Sequence, residues 1–122
     1  MLSFTGGLKI FVALEPCDMR KGFGSLCGAV YDHLKEDVRN GALYVFANKR
    51  RTRLKILYCD GTGMWLLTKR LDAGTFFWPR SSQAGQTKMA LTPEIFALLT
   101  DGIDLHQAKM RPWYERTPAV PA

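Results

Sequence analysis

Residues 42–59 read Ala-Leu-Tyr-Val-Phe-Ala, then Asn-Lys-Arg-Arg-Thr, then Arg-Leu-Lys-Ile-Leu-Tyr-Cys. Two apolar runs rich in aromatic and branched residues flank a short polar tip, which predicts strand, turn, strand. Side chains alternate along a strand, so Arg53 and Lys55 fall on one face and Leu54 and Ile56 on the other. Residues 48–55 hold five cations, Lys49, Arg50, Arg51, Arg53 and Lys55, and no acid. Fixed at a turn between strands, such a ridge suits a phosphate backbone. Lys and Arg also shield sheet edges from unwanted pairing, but that task seldom needs five cations without an acid.

The pattern extends in both directions. Upstream, Leu-Lys-Ile-Phe-Val-Ala-Leu (8–14) reads as a strand covered on both faces. Glu15-Pro16 ends it, and Asp18 stands where a helix N-cap would. Phe23, Leu26, Cys27, Val30, Tyr31, Leu34 and Val38 then recur at helical spacing, predicting an amphipathic helix over about 19–37. Asn40-Gly41 supplies a left-handed stop. Downstream, turn signals at 60–63 and 72–74 separate further short strands, the last over 75–78, which predicts an antiparallel meander. Residues 80–88 are small and polar, hence a loop. Thr92-Pro93-Glu94 opens a second helix with an N-cap, a proline at the first position and an acid in the first turn. Asp101-Gly102 closes it. The expected fold is one α+β domain, in the order β-α-β-β-β-β-α. A mainly antiparallel sheet is packed by the N-terminal helix and a short C-terminal one. The whole of 1–122 forms that domain, with its core over about 8–105 and an irregular tail over 106–122.

The chain has 122 residues, 47% of them hydrophobic, enough for one domain with a real core. Seventeen Lys and Arg against eleven Asp and Glu give a formal charge of +6, and the pI is about 9.5. Such an excess favours polyanionic partners but says nothing of fold. Cys17, Cys27 and Cys59 are odd in number and lie at unrelated spacings, so neither a disulfide framework nor a zinc site is expected. No secretory leader and no apolar run of membrane-spanning length stands in the sequence, so a cytoplasmic protein without membrane contact is expected.

No enzyme pattern emerges. Asp60, Asp72, Asp101 and Asp104 fall in turns or at a helix end, where Asp serves turn chemistry. Cys59 and His33 as a nucleophile and base compete with ordinary packing of a strand cysteine. No catalytic residue, metal or cofactor is therefore expected. Arg20 and Lys21 oppose the positive end of the expected helix, which suits either an anion at that end or a salt bridge to Glu15 or to an acid on a neighbouring strand. Tyr44, Phe46, Tyr58, Trp65, Phe76, Phe77 and Trp78 would stack on unpaired bases if exposed. In so small a sheet most belong to the core.

Five blocks carry a resemblance: Val12-Ala13-Leu14-Glu15-Pro16-Cys17-Asp18-Met19-Arg20-Lys21-Gly22-Phe23; Val45-Phe46-Ala47-Asn48-Lys49-Arg50-Arg51; Leu54-Lys55-Ile56-Leu57-Tyr58-Cys59-Asp60-Gly61-Thr62-Gly63; Lys69-Arg70-Leu71; and Phe77-Trp78-Pro79. In this order they resemble the small TnpB-type accessory protein of the insertion sequence 66 family, encoded beside the transposase. The RNA-guided nucleases that share the label are unrelated. The resemblance spans 8 to about 105 and departs at Cys59, where the family usually carries an aromatic residue. It implies a non-catalytic role in transposition beside a separate transposase. Arg20, Lys21, Lys49, Arg50, Arg51, Lys55, Lys69 and Arg70 are the matched positions for DNA contact, and the charge pattern adds Arg53. Expected partners are DNA, at the ends of the element, and the transposase itself. The alternative is a module that docks on the transposase without touching DNA, through Met64-Trp65 or the 95–99 helix. A small metal-dependent nuclease would require carboxylates converging in a cleft.

Overall fold

A computed structural model describes residues 7–104 and 109–110. β1 (Ile10–Ala13) leads into α1 (Phe23–Asp32) and a 3-10 turn at Val38–Asn40. β2 (Leu43–Ala47), β3 (Arg53–Cys59), β4 (Met64–Arg70) and β5 (Lys88–Leu91) follow. After α2 (Pro93–Asp101) come two short strands, β6 (Ile103–Asp104) and β7 (Lys109–Met110). The first five strands form one sheet in the order β4-β3-β2-β1-β5, and β6 pairs with β7 alone.

β2 lies at the centre and is buried at all five positions. That explains its unbroken apolar run, since a strand covered on both faces has no solvent side. Tyr44 and Phe46 join Leu57 beneath Leu26 and Val30 of α1. Leu43, Val45 and Ala47 face the other way, with Leu54, Trp78 and Leu99 of α2. The sheet is therefore covered by α1 on one face, and by α2 and the extended segment around Trp78 on the other.

β2, β3 and β4 form the expected antiparallel meander, with Leu57 opposite Tyr44 and Leu66. The rest of the sheet differs from expectation. β1 pairs with β2 in parallel, across the α1 crossover. Its other neighbour is β5, antiparallel, with Ile10 opposite Leu91. The sheet is thus mixed. The expected strand at 75–78 is only an extended segment with an isolated bridge at Thr75. The Phe76 N–H donates to the Arg51 carbonyl at 2.7 Å, and Phe76 and Trp78 turn into the core. The fifth strand begins at Lys88, inside the expected loop.

α1 is shorter than its apolar spacing implies. Its N-cap is Gly22, without a side-chain cap, because the Asp18 carboxylate accepts from the Arg20 N–H at 2.9 Å and bends the chain four residues earlier. Arg20 and Lys21 lie in that preceding turn and not in the helix. The helix ends when the Leu34 N–H reaches back to the Ala29 carbonyl, and Lys35 then adopts a left-handed φ of 57°. A ten-residue helix on a narrow sheet buries one row of side chains: Leu26 and Val30 are fully buried, whereas Phe23 and Tyr31 are 45% and 48% exposed.

α2 starts as its sequence predicts. Thr92 Oγ1 accepts from the Ile95 N–H at 3.2 Å, with Pro93 in the first turn. Gly102 ends it at φ 83° and ψ 178°, a region open almost solely to glycine. A Cβ there would stand 2.8 Å from Leu71 Cδ1 and 3.2 Å from the Thr75 carbonyl oxygen. Gly102→Ala is expected to cost about 1–3 kcal/mol, read as a lower Tm by calorimetry. The expected tail over 106–122 lies outside the described residues except at Lys109–Met110, which is strand and not irregular.

Candidate nucleic-acid interface

The cations singled out in the sequence gather at one end of the sheet but divide into distinct surroundings. The 48–52 turn closes β2 onto β3, and Asn48 organises it: its Oδ1 accepts from the Thr52 and Arg53 N–H groups at 2.9 and 3.0 Å. The Leu71 N–H donates to the Thr52 carbonyl at 3.0 Å, bringing the end of β4 against the same turn. Lys49 and Arg50 are exposed at the tip. Arg53 opens β3 and Arg70 closes β4, and the two stand directly opposite each other, both exposed. Two like charges in that relation destabilise a strand pair. Neither side chain makes an ion pair: the two salt bridges among described residues are Arg20–Asp18 and Lys88–Glu36.

Lys55 shares the α1 side of β3 with Arg53, and its Nζ donates to the Lys21 carbonyl at 2.7 Å. That bond seats the turn before α1 beside the strand and brings the cations of Lys21 and Lys55 near Cys17. Burial nevertheless dominates there and pushes the Cys17 thiol up. Lys69 points to the opposite face, where its Nζ donates to the Thr100 carbonyl at 2.8 Å. A cation at the last turn of α2 suits the negative end of that helix.

Two arginines have other partners. Arg20 grips Asp18, with Nη2 donating to Oδ2 at 2.7 Å and Nε to both carboxylate oxygens at 3.1 Å. The hydrogen bonds from Arg20 hold the Asp18 carboxyl down at about 2. Arg51 turns inward. Its backbone is left-handed at φ 61°, its guanidinium lies 5.2 Å from the centre of the Trp78 ring, and Nη2 donates to the Leu14 carbonyl at 3.4 Å. Burial lowers its pKa, and its buried Nη1 has no hydrogen-bond partner among the described residues. Trp78 completes the contact by donating from Nε1 to the Ala13 carbonyl at 2.9 Å.

Asp60 was legible only as a turn residue. Its Oδ1 accepts from the Thr62 and Gly63 N–H groups, and its Oδ2 from Trp65 Nε1 at 2.8 Å. The Trp65 bond, ahead of those from Thr62, pulls the Asp60 carboxyl down to about 2. For Asp18 and Asp60 alike the folded pKa lies below the unfolded value of about 3.9. Their contributions are therefore complete above that value and lost as pH falls through about 2. Denaturation followed from pH 5 to 2 should show a flatter acid limb in Asp18→Ala and Asp60→Ala than in the parent.

His33 lines a cleft beside Cys17 and the 15–18 turn, and Cys59, the other half of the sequence-suggested pair, does not line it. Among the described residues no three His, Cys, Asp or Glu side chains are grouped to hold a metal ion. No helix among them is long and apolar enough to cross a membrane.

Fold and side chains define a small α+β domain whose distinguishing surface is a cationic end of its sheet. Comparison with known proteins places it: residues 8–110 match the family described as IS66 Orf2 like protein, and the chain belongs to that family. It is an insertion-sequence-associated accessory protein. Among relatives, "Uncharacterized protein y4jC" of Sinorhizobium fredii is 38% identical over 112 residues, 92% of this chain and 93% of the relative. "Uncharacterized protein y4hO" of the same organism is 38% identical over 104 residues, 85% of this chain and 88% of the relative. No solved structure matches the chain.

Proposed function

We propose that this protein binds DNA of its own element through the cationic end of the sheet, and acts there with the transposase, without catalysing a reaction itself. The observation that carries the reading is the Arg53–Arg70 pair: two exposed arginines directly opposed on adjacent strands, with no ion pair to an acid among the described residues. Fold stability gains nothing from that arrangement, whereas a polyanion laid across it does. Lys49 and Arg50 at the tip extend the surface, and Lys21 and Lys55 border it. Arg20 and Arg51 are left out because Asp18 and Trp78 hold their guanidinium groups, and Lys69 because it lies on the opposite face of the sheet.

Four to six phosphate contacts give log K a slope against log salt between about −3.5 and −5.5. Fluorescence anisotropy with duplex carrying the element's terminal repeat should then show affinity falling by roughly two to three orders of magnitude between ~50 and ~200 mM salt. Preference over a scrambled duplex would add recognition of element ends. Absence of binding at the lower salt would overturn the reading. The alternative is docking on the transposase without DNA contact. It is favoured by the exposed row of Phe23 and Tyr31 on α1, 45% and 48% exposed. Trp65, one candidate for such contact, is exposed too, with its Nε1 donating to Asp60 in the preceding turn.

A further inference from the structure

We propose that Cys27, Cys59 and Met64 form a binding site for a soft monovalent metal ion, of which Cu(I) and Ag(I) are the type. Three elements bring the three sulfurs together. Cys59 ends β3 and Met64 begins β4, and the two are cross-strand partners. Two residues inward along each strand, Leu57 and Leu66 lie on the side covered by α1. The alternation of side chains puts Cys59 and Met64 on that side too. Cys27 comes down from α1, in the row between Phe23 and Tyr31, and its thiol donates to Met64 Sδ with 3.4 Å between the sulfurs. Cys27 and Cys59 are free thiols of intermediate exposure, and Met64 is 39% exposed. The group therefore sits at the rim between α1 and the edge strand, within reach of an ion from solvent.

The donor set decides the class of ion. Two thiolates and a thioether are soft ligands, suited to d10 monovalent ions that accept low coordination numbers. Zn(II) prefers four ligands of Cys, His or carboxylate, and the described residues offer no such group. On binding, each thiol S–H bond breaks, an S–metal bond forms, and its proton passes to solvent. Met64 supplies a lone pair, and no electron is transferred. Burial, and secondarily the neighbouring Cys59, push the Cys27 thiol up, so an ion has to displace its proton. Cys17 provides an internal control, because its charged neighbours are Lys21, Lys55 and Asp18 rather than another thiol.

The test is an anaerobic titration of the full chain with Cu(I) against a chromophoric Cu(I) chelator, repeated with Ag(I). One equivalent should be taken from the chelator. Cys27→Ser and Cys59→Ser should each weaken binding by about 100-fold or more, and Met64→Leu by about tenfold. Cys17→Ser should leave it unchanged. Leu replaces Met at similar volume, so that variant keeps the packing. Alkylation of the unmutated protein adds a measurement that needs no variant: one equivalent of Ag(I) should protect Cys27 and Cys59 while Cys17 still reacts. Failure to compete with the chelator, binding that survives Cys59→Ser, or equal protection of Cys17 would each overturn the site.

Discussion

Trp78→Ala is expected to remove about 3–5 kcal/mol of stability, the usual cost of deleting a large buried aromatic. Trp78 is 9% exposed, donates to the Ala13 carbonyl at 2.9 Å and carries the Arg51 guanidinium on its face. Its removal opens a cavity beside β1 and leaves a half-buried cation without its aromatic partner, a contact of about 0.5–2 kcal/mol. A domain of this size has only some 5–15 kcal/mol in all, so the variant should unfold at markedly lower denaturant. Arg51→Ala should weaken the fold through the same contact while leaving the cationic surface intact. Urea denaturation of both, with Arg50→Ala as an exposed control, distinguishes the two roles. If Arg50→Ala destabilises as much as Arg51→Ala, the inward assignment of Arg51 is wrong.

The second large effect concerns the opposed arginines. Arg53→Ala combined with Arg70→Ala should reduce affinity for duplex DNA by about 100-fold or more at low salt, taking two charge-assisted contacts at about 1.5 kcal/mol each. The salt slope should become shallower by about two. Stability should move the other way or stay level, because the variant relieves a like-charge pair on adjacent strands. Opposite signs in the two measurements separate a binding surface from a packing one. Equal losses of Tm and affinity would make these arginines structural. A pair of variants at Arg20 and Lys69 should leave affinity nearly unchanged, since Asp18 and the end of α2 already hold those groups.

How much of this was legible differed from element to element. The β2–β3 hairpin and α2 could be read because their signals are local: alternation around a polar tip, and Thr92-Pro93 at a helix start. The start of α1 was not, since Asp18 meets the sequence rule for an N-cap while its carboxylate is taken by Arg20. Lys88-Met89-Ala90-Leu91 has no turn or alternation that marks a strand, and it becomes one only by pairing with β1. The parallel pairing of β1 and β2 did leave a signal, an apolar strand, a helix and a second apolar strand in succession. For the site, the cluster of cations was visible but its partition was not. Which arginine of Lys49-Arg50-Arg51 turns inward depends on the left-handed backbone at Arg51 and on Trp78, far along the chain.

The position of β1 inside the sheet bears on how the protein is made. Ile10 leaves the ribosome long before Leu91, which is one of its two neighbours in the sheet. Until residues 88–91 emerge, the first strand has one side unpaired, and no local contact can stand in for the missing one. Pairings this distant slow folding, because the chain must close a long loop before the contact repays it. Nascent chains that stop short of Lys88 should therefore stay protease-sensitive and prone to associate through that open side. Translation would then yield the folded domain only once Lys88–Leu91 has emerged.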